Sequence, residues 1–129
     1  MKHGYGENHW QNGEVYIGNF HHDLLHGYGK HIWPNGRIYE GDWKNNKIEG
    51  KGKYSWNDGK FYEGEFVNDL KHGYGVFQWP EGKRYEGYWF EGKQHGQGKI
   101  ITSKGKFKLG LWENGVRVKW IDEDVNNND

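Results

Sequence analysis

Two kinds of alternating segment follow each other along the chain. In the first, a tyrosine, a glycine and a large aromatic residue fall at every second position, as at Tyr39, Gly41 and Trp43. In the second, two glycines and then aromatic residues do so, as at Gly50, Gly52, Tyr54 and Trp56. Period-two alternation puts these side chains on one face of a strand and the intervening polar residues on the other. Between the segments lie, in turn, a mostly polar stretch of six residues (44–49 in one case) and a short turn such as Pro34-Asn35-Gly36. The pattern predicts hairpin after hairpin, each strand with one apolar and one wet face.

The alternation has a longer period of 23 residues. Gly4, Gly27, Gly50, Gly73 and Gly96 form one series, and Gly6, Gly29, Gly52, Gly75 and Gly98 a second. Gly18, Gly41, Gly64, Gly87 and Gly110 form a third, and Gly13, Gly36, Gly59, Gly82 and Gly105 a fourth. These hold 20 of the 22 glycines, so the phase belongs to a structural repeat rather than to composition. Tyr16, Tyr39, Tyr62 and Tyr85 keep step with it, as do Phe20, Trp43, Phe66, Trp89 and Trp112, and Trp10, Trp33, Trp56 and Trp79.

The expected pairing sets Trp43 against Gly50, Gly41 against Gly52 and Tyr39 against Tyr54. Across the next turn it sets Trp56 against Tyr62, and hence Gly52 against Phe66. All aromatic residues then share one face, and each glycine gives bare backbone for a ring from the neighbouring strand to cover. Gly18, Gly41, Gly64, Gly87 and Gly110 are thus structural. On the wet face Glu40, Glu63 and Glu86 face strands that carry Lys30, Lys51, Lys53 and Lys99, which predicts weak cross-strand charge pairs.

Composition agrees with a core of rings. Only 33% of residues are hydrophobic while 18% are aromatic, and alanine is absent. Phe, Tyr and Trp bury roughly 150–250 Å² each, which replaces an aliphatic interior. With no cysteine there are no disulfides or thiolate metal sites. No apolar run reaches the length of a bilayer span and no apolar leader opens the chain, so the expectation is a cytoplasmic protein. A formal net charge of zero gives no general footprint for nucleic acid.

The residues YEGDW at 39–43 and YEGEF at 62–66, each followed by a G-x-G segment, resemble the MORN (membrane occupation and recognition nexus) repeat. The resemblance covers about residues 1–115, with four full units and partial ones at each end. It implies an all-β fold: an elongated, single-layer, twisted antiparallel meander of 23-residue hairpins with a groove along one side. It also implies an attachment or assembly module, with protein and lipid ligands both open. The sequence departs from the pattern in its fifth unit, where Lys108 stands for the tyrosine and Thr102 for the tryptophan. Residues 116–121 then read as a capping strand with Trp120 over the last open end, giving an array over 1–121. Residues 122–129 read as a solvated tail. The chain begins in mid-repeat, consistent with a piece of a longer array or with a first strand whose edge awaits a partner.

Candidate chemistry is sparse. His3, His26, His72 and His95 are in phase, but one repeat advances the sheet by about 10 Å, too far for two to share an ion. The phased glutamates are equally far apart for paired carboxylate catalysis. The chain is therefore expected to be no enzyme and to use no metal or cofactor. The candidate partner-binding groove is the aromatic row of Tyr16, Phe20, Tyr39, Trp43, Tyr62, Phe66, Tyr85, Trp89 and Trp112, suited to an extended or helical segment. Seven basic residues fall between 93 and 119 against one acid, Glu113. Lys99, Lys104, Lys106, Lys108, Arg117 and Lys119 are thus candidates for an anionic lipid or acidic partner. The alternatives are an ordinary solvated surface, and self-association of the basic end with the acidic head of another copy. The function expected is a scaffold that holds a protein partner, in a cytoskeletal or ciliary assembly, with attachment to anionic membranes as the alternative.

Overall fold

A computed structural model describes residues 2–121. The tail read at 122–129 lies outside the described residues. Eleven antiparallel strands form one sheet in chain order. They are β1 (Gly4–His9), β2 (Val15–His21), β3 (Leu24–Ile32), β4 (Ile38–Lys44), β5 (Lys47–Ser55) and β6 (Phe61–Val67), then β7 (Leu70–Gln78), β8 (Arg84–Phe90), β9 (Lys93–Ile101), β10 (Phe107–Glu113) and β11 (Val116–Trp120).

Two turn types alternate. After β3 the chain turns through Pro34-Asn35-Gly36, with Gly36 N–H donating to the Trp33 carbonyl at 3.0 Å and Trp33 N–H to that of Arg37 at 2.9 Å. Gly36 has φ +92°, and the proline ring presets the φ that the first turn position needs. After β4 the chain turns on Asn45 and Asn46 alone, at φ 48° and 71°. Two successive left-handed residues make a type I′ turn, whose twist matches that of the flanking strands.

This tight turn corrects the expected pairing. Gly41 opposes Gly52 and Tyr39 opposes Tyr54, but Trp43 opposes Ile48, not Gly50. The six-residue stretch is mostly strand: Lys44 pairs with Lys47, and β5 carries two extra residues before Gly52. They form a bulge at which Gly50 takes φ +109°. Across the next turn Tyr62 opposes Tyr54 rather than Trp56, while Gly52 meets Gly64 and Phe66 meets Gly50. There the loop over 57–59 closes between Trp56 and Lys60, one residue pair further out. Both shifts are of two residues, so parity survives, and the tyrosine and tryptophan series do share one face.

That face is the core. Tyr16, Tyr39, Tyr62 and Tyr85 are wholly buried, each clamped edge-on between two rings. Tyr39, for example, meets Trp43 of its own strand at 5.3 Å and 88°, and Phe66 of the next repeat at 5.4 Å and 90°. The contacts run on from Phe20 to Trp112, and Trp120 on β11 ends the series against Trp112 at 6.2 Å. Perpendicular ring pairs match quadrupoles and add about 0.5–1.5 kcal/mol each to the burial of area. Each tyrosine hydroxyl donates to the carbonyl three residues on; for Tyr39 that is Asp42, at 3.0 Å. The ring reaches it by crossing the glycine pair. A Cβ on Gly52 would lie 2.1 Å from the Tyr39 oxygen, and one on Gly41 2.4 Å from the Gly52 Cα.

Candidate functional site

All nine aromatic residues expected to line a groove lie in this spine, at 0–8% exposure. The accessible aromatic surface of the same face is a second row beside them. Trp10, Trp33, Tyr54, Trp56, Phe77 and Trp79, with the buried His31 ring between the first two, follow one another at ring separations of 4.2–5.9 Å. Most of these are half-buried and pack on the spine. Their tryptophans were visible in the repeat as the residues three before each turn glycine. A position next to an exposed turn is the signal that marks them as reachable.

Cavities follow this row. One of about 540 Å³ is lined by Trp10, Trp33, Trp43, Glu14, Asp23 and Asp69, among others. A second, of about 290 Å³, lies against Tyr54, Trp56 and Phe66. A third, of about 410 Å³, lies where the repeat lapses, between Ile100, Thr102, Phe107 and Trp120 with Lys106 and Lys108. The opposite face has a cavity of about 560 Å³, in which Lys51 and Lys53 offset two of the three carboxylates of Glu40, Glu63 and Glu65. There Lys53 is in register with both Glu40 and Glu63.

The first cavity holds an unusual stack. His31 lies flat between Trp10 and Trp33, at 5.4 and 4.2 Å and within 8° of parallel. Its Nε2 is 2.9 Å from Glu14, and its Nδ1 is buried without a partner. Burial pulls the imidazole below its ordinary pKa against the opposing pull of Glu14, so the ring is neutral near pH 7. Hydrogen bonds from Asn12 and then His31 hold the Glu14 carboxyl below the usual carboxylate range.

Further along the face, Lys71 enters the equivalent ring set. Its Nζ lies 5.5–5.8 Å from the ring centroids of Trp56, Tyr62, Phe77 and Trp89. Desolvation lowers its pKa. Leu25 and Ile48 hold the same repeat position in the two preceding units, and both are buried.

The basic candidates do not share one surface. Lys106 and Lys108 line the third cavity, and Lys108 and Arg117 lie over the Trp120 ring at 5.1 and 4.3 Å. Lys99 sits over Phe107 on the other face, and Lys119 pairs with Leu111 there. Lys104 is in the turn before β10. The phased histidines contact turns: Nδ1 of His3, His26 and His95 accepts from the backbone N–H of His22, Asn45 and Asn114 at 3.3–3.4 Å. Phase alone did not show that His21 and His22 gather with His3 and His26 at ring separations of 4.2–5.5 Å. Among the described residues no group of three or more His, Asp or Glu is placed to hold a metal ion.

Comparison with protein families finds the MORN repeat five times, at residues 1–15, 16–36, 39–61, 62–84 and 85–107. No curated protein matches the chain significantly. Such repeats are non-enzymatic modules for interaction with proteins or membranes.

Proposed function

Because the chain belongs to the MORN repeat family, we propose that it is a non-enzymatic scaffold that holds a segment of a protein partner along its aromatic face. The observation that carries this reading is the second row of rings. It is partly exposed, continuous over several repeats and fronted by cavities. Rigid aromatic side chains on a preformed surface give contact area with little loss of conformational freedom, which is why they dominate protein interfaces. The setting proposed with it is a cytoplasmic cytoskeletal or ciliary assembly.

Attachment to anionic membranes is the second reading, favoured by the apolar cavity that Lys106 and Lys108 flank. Peptides selected from a displayed random library on the full chain separate the two. Selected peptides are expected to lose about tenfold or more in affinity on Trp33→Ala or Trp56→Ala, and little on Tyr74→Ala on the opposite face. Far-ultraviolet dichroism and thermal melting check that the variants remain folded. No selectable peptide, together with sedimentation on phosphoinositide vesicles that K104E/K106E/K108E abolishes, would replace the protein reading with the membrane one.

A further inference from the structure

We infer that the N-terminal half of the aromatic face is a receptor for a basic side chain, arginine or lysine, carried by an extended segment of the protein partner. This rests on the reading of the aromatic face as the docking surface, and it specifies what docks.

The first argument is charge. Glu14, Asp23 and Asp69 line the 540 Å³ cavity with Asn8 and Asn46, and no lysine or arginine does. Nothing within the lining itself offsets the three carboxylates, since burial lowers the pKa of His31; the nearest cations, Lys2 over the Phe20 ring and Arg37 over the Trp33 ring, both at 4.9 Å, lie at its border. They are also held in place. Asp69 accepts from the Ile48 N–H through one oxygen at 2.7 Å, and Asp23 accepts from the Lys2 N–H in the same way. The second oxygen of each has no partner among the described residues. Glu14 is fixed by Asn12 at 2.7 Å and His31 at 2.9 Å. An array of fixed acceptors flanked by Trp10, Trp33 and Trp43 suits a cation that both stacks on rings and donates hydrogen bonds. Arginine does both. A phosphate headgroup would meet three like charges.

The second argument is an internal precedent. Lys71 shows that a primary ammonium sits against this ring set without a carboxylate partner, surrounded by four rings. In the two units before it, Leu25 and Ile48 bring no charge to the same position, and both line the acidic cavity. A cation missing from those units can come from the partner. The third argument is layout. Asp23, Asn46 and Asp69 occur one repeat apart and belong to successive type I′ turns, so the acceptors form a row rather than a ring. A row fits a chain laid along it.

The test uses peptides selected on the full chain and the variant E14Q/D23N/D69N. That variant is expected to fold, because Asn46 already makes with the Leu25 N–H the bond that Asp69 makes with Ile48. Glutamine can keep the partners of Glu14, and a melting temperature within a few degrees of the parent checks the fold. Selected peptides are expected to carry arginine or lysine. Replacing that residue by citrulline or norleucine, or the protein by the triple variant, is expected to weaken binding about tenfold, and high salt to weaken it too. Binding that needs Trp33 but is unchanged by the neutral peptide and by the triple variant would overturn this inference and leave the docking surface standing. Failure to select any peptide would remove both.

Discussion

At the scale of single residues, the fold depends on how closely a tyrosine oxygen approaches a bare backbone. Tyr39 crosses Gly41 and Gly52 to reach the Asp42 carbonyl, and there is no room for a methyl group beneath it. Gly52→Ala is therefore expected to destabilise the protein by about 3 kcal/mol, as an over-packed core does. Tyr39→Phe should cost about 1 kcal/mol by leaving the carbonyl unmet. The double variant should cost less than the sum, because the missing oxygen is the nearest atom to the new methyl group. Denaturant titration of the four proteins measures the coupling, and strict additivity would show that the ring does not approach the glycine this closely. The phase of the glycines made a ring-over-glycine contact legible in the sequence. It did not show that the ring runs diagonally, with its hydroxyl satisfied on its own strand.

At the scale of the hairpin, the six-residue stretch is where the sequence pattern and the structure part. Residues 44–49 are so polar that they read as loop, yet two left-handed asparagines suffice, and the rest is paired strand. Alternation could not reveal this, because the bulge at Gly50 adds two residues and so leaves the period of two unbroken on either side. The turn also ties neighbouring hairpins together. Asn46 N–H donates to the Leu25 carbonyl at 2.9 Å, and its side-chain oxygen accepts from the Leu25 N–H at 2.8 Å. Asn46→Ala, which loses the side-chain bond and strains a left-handed residue, is expected to cost about 2 kcal/mol. Asn46→Asp should stay near the parent, as Asp69 does the same work one repeat later. Equal melting temperatures for the two variants would remove the stapling role.

For the molecule as a whole, stability is shared along the spine of rings, and alkali probes all of it at once. Burial pushes Tyr16 and Tyr85 up to about 12, and Tyr39 and Tyr62 higher still. With native pKa values above the unfolded value of about 10, the folded state keeps protons that the unfolded chain has lost. Stability is thus expected to be complete below about pH 10 and to fall from there through about pH 12. Thermal melts across that interval, with tyrosinate absorbance, check this; a level midpoint would mean that the four phenols ionise in place. The same scale explains why the site was only half legible. The sequence shows which face is aromatic, but whether a ring is clamped or reachable depends on its neighbours from the next repeat. Counting charges along the chain likewise joined Lys99 and Lys108, which alternation sends to opposite faces.

The row of turn oxygens at Asp23, Asn46 and Asp69 has a metric consequence. Two strand spacings advance the sheet by about 9.5 Å, the distance that extended polypeptide covers in three residues and that an α-helix covers in about six. A polyproline II segment laid along the row, with three residues and about 9.3 Å per turn, would present every third residue to an equivalent mark. For such a segment the array would be a ruler graduated in tripeptides, on which adding or removing a repeat would lengthen or shorten the measure without altering its divisions.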